Sequence, residues 1–248
     1  MKKSIKQFHS WDVSPKEAIA LQNRLREQVI IQPLPDDIEL VAGADVSFNK
    51  YSPVVYAAFV VLQLPELKVI ATAGVETKVT FPYIPGLLSF REAPPLLEAW
   101  ERLAMRPDVV MFDGQGIAHP RRVGIASHMG LVLGLPTIGC GKSLLTGKYE
   151  EPPETTGSWS LLMDKGETIG AVVRTKNRTS PVYISPGHMA DIQTSMALTL
   201  RCVKGYAAGE ETTGKAKGSK YRIPEPTRLA HLFVNALRRN EAWQPPKI

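Results

Sequence analysis

Two aspartates stand within or directly after apolar segments, and this placement is the first sign of chemistry in the chain. Asp45 lies inside the apolar stretch 39–48, and Asp113 directly follows the run Val109–Phe112. A carboxylate in apolar surroundings is costly to desolvate unless a partner offsets its charge. Either acid alone also fits a strand-end residue bonded to a nearby turn. If the two strands are neighbours, both carboxylates meet at one sheet edge, where a hard divalent cation such as Mg²⁺ would satisfy them.

A third acid, Glu92, follows a proline-rich stretch and precedes Pro94 and Pro95. Taken alone, it is typical of an acid near a helix N-terminus, where the helix dipole favours negative charge. Together with Asp45 and Asp113 it would complete a carboxylate cluster of the kind that positions magnesium on a phosphate. The three acids are therefore the first candidates for metal ligands and catalytic groups.

A glycine-rich loop, residues 114–122, leaves the carboxyl end of the predicted Asp113 strand. Open α/β sheets place their functional sites at such strand ends. His119, Arg121 and Arg122 in this loop could hold phosphate oxygens. The alternative is a solvated basic loop without a ligand.

Lys142 leaves another predicted strand end through the small residues 139–141, where it could contact a phosphate. The surrounding sequence superficially resembles a phosphate-binding P-loop. That motif requires a glycine five residues before the Gly-Lys pair, and Pro136 stands there instead. The P-loop pattern therefore fails.

His188 and Asp191 follow the stretch 183–187, and we predict that they open a helix. Residues three apart lie on one helical face, and a helix N-terminus with His and Asp can hold a water or a phosphate. A capped helix with an incidental histidine is an equally good interpretation.

The loop 81–86, Phe-Pro-Tyr-Ile-Pro-Gly, combines two prolines with an aromatic and a large aliphatic side chain. Rigid apolar residues on a loop can insert between stacked bases and open a duplex. The alternative is a proline-stiffened loop that only packs. We call residues 81–86 the wedge loop.

The elements that would carry these residues follow from periodicity and turn signals. Ser14 and Glu17 form a capping-box pattern before a helix predicted over 14–31. We predict a three-stranded meander over 38–48, 54–64 and 68–75. The rest of the prediction is a structured loop over 80–95, helices over 94–104, 122–134, 188–203 and 227–239, a short strand ending at Asp113, and strands over 136–139, 167–174 and 181–185. This order predicts an α/β fold in one domain over 1–248, with a mixed sheet and helices on both faces.

Composition narrows the class of protein. The chain has 248 residues, a net charge of +6 and two cysteines, and its pI is about 9.3. Two cysteines build no disulfide framework, and the absence of a signal-peptide pattern or a long apolar run predicts a cytoplasmic protein without a membrane span. The positive charge is compatible with a polyanionic partner. The Gly-, Lys- and Thr-rich segment 204–222 is predicted to be a mobile basic loop.

Several of these stretches, in their order along the chain, resemble the endonuclease V family, the deoxyinosine 3′ endonucleases. The resemblance covers about residues 10–205 and is most specific over 82–92 and from Asp113 to Lys142. The matching stretches are 43–48, 82–92, 113–116, 119–121, 124–128, 136–140 with Lys142, 183–185 and 187–188.

The resemblance implies a ribonuclease-H-like fold and a DNA repair enzyme that depends on Mg²⁺, with Mn²⁺ as a substitute. It implies cleavage of the second phosphodiester 3′ to a hypoxanthine base, leaving 3′-hydroxyl and 5′-phosphate ends. By this similarity Asp45, Asp113 and Glu92 would be the metal ligands, and His188 would lie near the attacking water or the metal. The residues implied to contact DNA are Pro82, Tyr83, Ile84, Pro85, His119, Arg121 and Lys142.

The implied substrate also requires a pocket. Weakly paired hypoxanthine costs less to unstack and extrude than a normal base, so it can enter a pocket beside the wedge loop. We expect the glycine-rich strand-end loops to line this pocket, with Gly86, Leu88, Gly114, Gly139 and Gly141. The expected partners are DNA that contains deoxyinosine or other altered bases, and the expected state is a monomer.

Three alternatives remain open at this stage. The same chemistry could act on inosine in RNA, where a 2′-hydroxyl near the scissile bond distinguishes the substrate. The chain could instead bind altered nucleic acid without cutting it, although carboxylates would only repel the phosphates of such a ligand. A P-loop nucleotide hydrolase is the weakest alternative, because of Pro136.

Overall fold

A computed structural model describes residues 8–50, 52–206 and 219–246. Most of the predicted basic loop, residues 207–218, lies outside the described residues. The strands are β1 Leu40–Phe48, β2 Val54–Gln63, β3 Lys68–Lys78, β4 Val109–Phe112, β5 Thr137–Gly141, β6 Trp159–Asp164, β7 Glu167–Val173 and β8 Val182–His188. The helices are α1 Pro15–Leu25, α2 Leu88–Arg102, α3 Ile125–Leu133, α4 Ile192–Arg201 and α5 Glu225–Arg238.

The eight strands form one sheet in the order β3-β2-β1-β4-β5-β8-β7-β6. The strands β1, β4 and β5 run parallel at its centre, and the flanking pairs are antiparallel. The predicted meander is confirmed as β3-β2-β1. The strand β6 was missed; it forms a hairpin with β7 across a turn at Lys165 and Gly166, both of which have positive φ.

Helices cover both faces of this sheet, as the alternation of β1 shows. Ala42 and Ala44 face a core that is shared with α2 and α3, whereas Val41 faces the opposite core beside α4. Helix α5 packs on that second face against β1 and β2. The predicted fold class, a mixed sheet with helices on both faces, is therefore confirmed. Among the described residues, no helix is both long and apolar enough to span a membrane.

Helix α2 departs from the prediction. It begins at Leu88 and runs through Pro94 and Pro95, so the predicted loop ends at residue 87 and not at 95, and the predicted helix start at 94 is wrong. A proline inside a helix costs about 3 kcal/mol. Phe90, Leu96 and other apolar residues on this helix are buried, at about 1.5–3 kcal/mol each. Burial of the apolar face therefore outweighs the two prolines.

The start of α4 also differs from the prediction. His188 is the last residue of β8, not the first turn of a helix. Asp191 is the N-cap of α4, and its Oδ1 accepts hydrogen bonds from the amide and the hydroxyl of Thr194 at 2.7 and 2.6 Å. The two residues therefore do not share a helical face, and Asp191 serves as a cap.

Candidate active site

The first two acids meet because β1 and β4 are adjacent and parallel. Ala44 pairs with Phe112 in this ladder, and Asp45 and Asp113 each follow by one residue. The amide of Asp113 donates to the carbonyl of Ala44 at 3.1 Å, so the ladder extends to the acids themselves. Both side chains are thus held where the parallel ladder of β1 and β4 ends on its carboxyl side, which is where sites of open α/β sheets lie.

A histidine that sequence reasoning missed completes this group. His231 Nδ1 lies 2.8 Å from Asp45 Oδ2, and one ligand atom from each of Asp45, Asp113 and His231 lies within 4.8 Å of the others. Helix α5 brings the histidine there because its N-terminal turn approaches β1 closely. A side chain at Gly43 would place its Cβ 1.8 Å from the Pro226 carbonyl oxygen. In the sequence, His231 is only a histidine within a predicted helix, and no motif around it indicates a place beside the aspartates.

Glu92 of α2 faces the same two acids and is partly buried. Desolvation, followed by the charges of Asp45 and Asp113, raises the pKa of Glu92 to about 8. Desolvation and the charge of Asp45 also raise the pKa of Asp113, although Lys142 and His231 oppose this rise. Crowded carboxylates of this kind resist ionisation together, and a cation relieves their repulsion.

Lys142 follows β5 and donates a hydrogen bond from its ammonium to Asp113 Oδ2. Its own carbonyl accepts from Arg222 Nη2 at 2.7 Å, which ties the lysine to the segment before α5. Residues 143–158 contain no helix, so Lys142 does not stand at the helix N-terminus that a P-loop lysine requires. The geometry thus places a positive charge beside the acids and gives the P-loop alternative no support.

A cavity of about 310 Å³ opens beside Glu92 and Asp113. This volume is at the lower end for small-ligand pockets and suits one planar ring system. Four of the five predicted pocket residues line it, namely Gly86, Leu88, Gly114 and Gly141, together with Gln22, Ser89, Ile125, Leu144 and Leu145, which were not predicted.

Gly139, the fifth predicted pocket residue, does not line the cavity. A Cβ at Gly139 would lie 2.3 Å from the Gly116 amide nitrogen, so this glycine packs against the neighbouring loop. Its role is to let the β5 backbone and the loop after β4 approach each other.

The wedge loop stands at the mouth of this cavity. Pro82, Tyr83 and Pro85 are exposed, and the Tyr83 side chain has a relative exposure of 57%. Ile84 packs instead against a buried cluster that contains Phe81 and Phe90. The loop therefore presents a rigid aromatic tip while its base is fixed in the core.

His119 and Arg121 were predicted to contact phosphates, and the structure gives both of them protein partners instead. His119 is buried, and its Nε2 lies 3.0 Å from the Gly86 carbonyl oxygen. Burial and the Arg121 charge lower the pKa of His119 to about 4, so the ring is neutral at physiological pH. Arg122, the third candidate in this loop, pairs with Asp164 and Glu167.

His188 lies away from the carboxylates. It pairs with Thr137, which pairs with Val110, three residues before Asp113 on β4. Three residues of strand correspond to about 10 Å. The backbone amide of Ile30 donates to His188 Nδ1 at 3.2 Å. The structure thus does not bring His188 to the acids, and His231 stands where a histidine was expected.

The acids lie where the parallel ladder at the centre of an open mixed sheet ends, and the cavity lies beside them. This arrangement is that of an α/β enzyme whose site lies at the edge of the sheet. Comparison with known proteins identifies the group within this class. The family model of Endonuclease V matches residues 23–232. The chain therefore belongs to the Endonuclease V family, a family of nucleases.

Individual relatives agree with this assignment. Endonuclease V of Myxococcus xanthus is 49% identical over 92% of each chain. The crystal structure of Endonuclease V from Streptomyces avermitilis superposes with a TM-score of 0.83 at 38% identity, covering 96% of this chain and 99% of that one. The Ciona intestinalis protein, in complex with a 24mer DNA containing an inosine followed by a ribo-adenosine, gives a TM-score of 0.73 at 25% identity, with 91% and 98% covered.

Proposed function

We propose that this chain is a DNA repair endonuclease that recognises deoxyinosine. It hydrolyses the second phosphodiester 3′ to the lesion and leaves 3′-hydroxyl and 5′-phosphate ends. The observation that carries this proposal is the convergence of Asp45, Asp113 and His231 within 4.8 Å beside a cavity of about 310 Å³. The inosine-containing DNA bound by the Ciona relative supports the choice of lesion.

The donor set fits a divalent cation. Carboxylate oxygens suit Mg²⁺ and Mn²⁺, and an imidazole nitrogen also suits Mn²⁺. Asp45, Asp113 and His231 would hold the ion, and Glu92 would complete the site because its carboxyl faces both aspartates. A bound cation supplies charge neutralisation at the scissile phosphate and lowers the pKa of water.

The side chains of the chain itself divide the remaining work. The Val46 amide donates to Asp45 Oδ1 at 2.8 Å, which fixes the carboxylate and leaves Oδ2 for His231. Glu92 holds a proton on its carboxyl below a pH of about 8 and can release this proton when a cation is bound beside it. Lys142 can turn from Asp113 towards a phosphate oxygen, since its side chain is 36% exposed.

Base selection belongs to the cavity and the wedge loop. Tyr83 projects from the mouth of the cavity, where an aromatic ring can replace an extruded base in the stack. Hypoxanthine pairs weakly and is extruded at lower cost than a normal base. Glu92 and Asp113 line the cavity whereas Asp45 does not, so the cation would lie beside the space for the base, which suits cleavage away from the lesion itself.

The test is nicking of a duplex with one deoxyinosine, with Mg²⁺, Mn²⁺ or a chelator present. Asp45→Asn and Asp113→Asn should abolish nicking, because each removes a charged ligand. Asp108→Asn is the matched control, since Asp108 lies before β4 and its carboxylate accepts from the amides of Glu39 and Leu40. Wild-type nicking by folded Asp113→Asn protein, or full activity in chelator, would contradict the proposal.

Inosine in RNA is a second candidate substrate, because the ligand of the Ciona relative carries a ribo-adenosine after its inosine. Three oligonucleotide substrates distinguish the two candidates: inosine in DNA, inosine in DNA followed by one ribonucleotide, and inosine in RNA. A deoxyribonuclease should cut the first as fast as the others. If cleavage requires the ribonucleotide, the substrate of this chain is RNA and not DNA.

A further inference from the structure

Three side chains donate to a single carbonyl oxygen, that of Gly86. Gln22 Nε2 lies 3.0 Å from this oxygen, His119 Nε2 lies 3.0 Å from it, and Arg121 Nη2 lies 2.7 Å from it. A carbonyl oxygen has two lone pairs, so three donors saturate it. The donors come from α1 and from the loop after β4, which are distant in the sequence. Gly86 is thus held by two separate parts of the fold.

The three donors also fix one another. Arg121 Nε donates to Gln22 Oε1 at 2.5 Å, and Gln22 Nε2 donates a second bond to the Val123 carbonyl at 3.0 Å. The Arg121 amide donates to His119 Nδ1 at 3.1 Å. A neutral histidine that accepts at Nδ1 carries its proton on Nε2, so Nε2 is the donor to Gly86. Every member therefore has a defined orientation.

Gly86 is suited to this arrangement by its backbone. Its φ is +80°, a conformation that side chains rarely adopt. A Cβ at this position would lie 2.9 Å from Arg121 Nη2. The absence of a side chain lets the donors reach the carbonyl.

Gly86 ends the wedge loop, so its position sets that of the exposed tip. The Leu87 amide donates to the Ile84 carbonyl at 2.9 Å and closes a turn at this end. At the other end, Arg91 Nη1 donates to the Phe81 carbonyl at 2.7 Å. Tyr83 itself is largely exposed, and its ring lies 6.0 Å from that of Phe48. The tip is therefore held mainly through its two ends.

We propose that Gln22, His119 and Arg121 are positioning residues that fix the Gly86 turn and, through it, aim the wedge loop at the DNA. This proposal rests on the proposed function. It assigns helix α1 a part in opening the duplex, although α1 contributes no side chain to the carboxylate cluster. It also explains why a buried glutamine, 1% exposed, lies in the cavity wall with its amide groups bound to protein.

Nicking of duplex and single-stranded substrates separates a positioning role from a merely structural one. A duplex must be opened by the wedge loop, whereas a single strand carrying deoxyinosine needs only the cavity and the carboxylates. Gln22→Met and Arg121→Met should each lower the duplex rate, relative to the single-strand rate, by about tenfold, which corresponds to the loss of one of the three hydrogen bonds to the Gly86 carbonyl. Arg121→Lys, which keeps a charged donor, should lose less.

Thr199→Val is the matched control. Thr199 is fully buried in α4, and its hydroxyl donates to the Ser195 carbonyl at 2.7 Å, so the change also removes a buried bond to the main chain. Its duplex and single-strand rates should keep the wild-type ratio. Equal loss of both rates in Gln22→Met and Arg121→Met would overturn the positioning role.

Hydrogen exchange tests the same proposal without nuclease activity. The Leu87 amide should exchange faster in Gln22→Met and in Arg121→Lys than in the wild type, while amides of β4 keep their rates. Unchanged exchange at Leu87 in both variants would overturn the proposal. A wild-type protein that leaves both inosine substrates intact would instead overturn the proposed function. The exchange rates would still show whether Gln22 and Arg121 fix the Gly86 turn.

Discussion

His231 Nδ1 lies 2.8 Å from Asp45 Oδ2, although 186 positions separate the two residues in the chain. This contact joins the second-face helix α5 to the central strand β1 and places an imidazole nitrogen beside the two aspartates. The histidine of the site is therefore His231, and His188 belongs to the opposite end of the sheet.

Replacement of His231 should weaken metal binding. His231→Gln removes a ligand nitrogen, and we expect the affinity for Mn²⁺ to fall by at least about tenfold in a calorimetric titration. His188→Gln is the control, and its affinity should equal that of the wild type because His188 lies about 10 Å from Asp113 along the strand direction and two strands away across the sheet. Equal affinities for the two variants would contradict the assignment of His231.

Glu92 should make the cation-free protein less stable as the pH rises. The carboxyl has a pKa of about 8 in the folded protein against an ordinary value of 4.5. Between these values the folded state binds more protons than the unfolded state, so the free energy of unfolding falls as the pH increases. The full contribution is present below about pH 4.5 and is lost through about pH 8.

Glu92→Gln removes this dependence. In urea unfolding with a chelator, the variant should gain stability over the wild type at about pH 8 and show less gain at about pH 5. Saturating Mg²⁺ should reduce the difference in free energy of unfolding between the variant and the wild type at the higher pH, because a cation stabilises the ionised carboxylate. A gain that is independent of pH would show that burial of the side chain, not its titration, causes the effect.

Tyr83 should matter for duplex opening and not for folding. Its side chain is 57% exposed, so Tyr83→Ala should change the free energy of unfolding by no more than about 0.5 kcal/mol. Nicking of an inosine duplex should slow markedly, while nicking of a single strand is retained. Trp159→Ala removes another exposed aromatic, from the edge strand β6, and should leave both rates unchanged. Equal slowing on both substrates would place Tyr83 in the chemistry instead.

His128 should make the protein sensitive to acid. The ring is fully buried, with Ser89 Oγ at 3.0 Å and His9 Nε2 at 2.7 Å, and burial followed by His9 lowers its pKa from 6.5 to about 3. Within this range the unfolded state binds the extra proton, so stability is lost as the pH falls below about 6.5.

His128→Gln provides the comparison. The wild type should lose more free energy of unfolding than the variant between about pH 7 and about pH 5, and the contribution of Glu92 cancels in this difference. Equal losses in the two proteins would show that other groups cause the acid sensitivity.

Local sequence signals predicted much of the fold and part of the site. The capping box of Ser14 and Glu17 marks the start of α1 with both of its hydrogen bonds. Asp45 and Asp113 could be expected to meet if their strands were neighbours, and the parallel pairing of β1 with β4 satisfies this condition. The capping box depends on residues three positions apart. The placement of the two aspartates depends on the regular geometry of paired strands.

Other features had no local signal. The two prolines of α2 indicate a loop until the burial of the helix in the core is known. His119 and Arg121 have the composition of a phosphate-binding loop, yet their donors point to the Gly86 carbonyl. Neither outcome can be read from neighbours in the chain, because each depends on a partner contributed by another element.

The sequence by itself determined the apolar strands that position Asp45 and Asp113, the proline-stiffened wedge loop and the mixed α/β architecture. The tertiary structure alone decided that His231 and not His188 joins the aspartates, and that Gln22 of α1 holds the wedge loop at Gly86. The physical reason is the range of the interactions. Periodicity and turns act between near neighbours, whereas the docking of α1 and α5 depends on close packing such as that of Gly43 against Pro226.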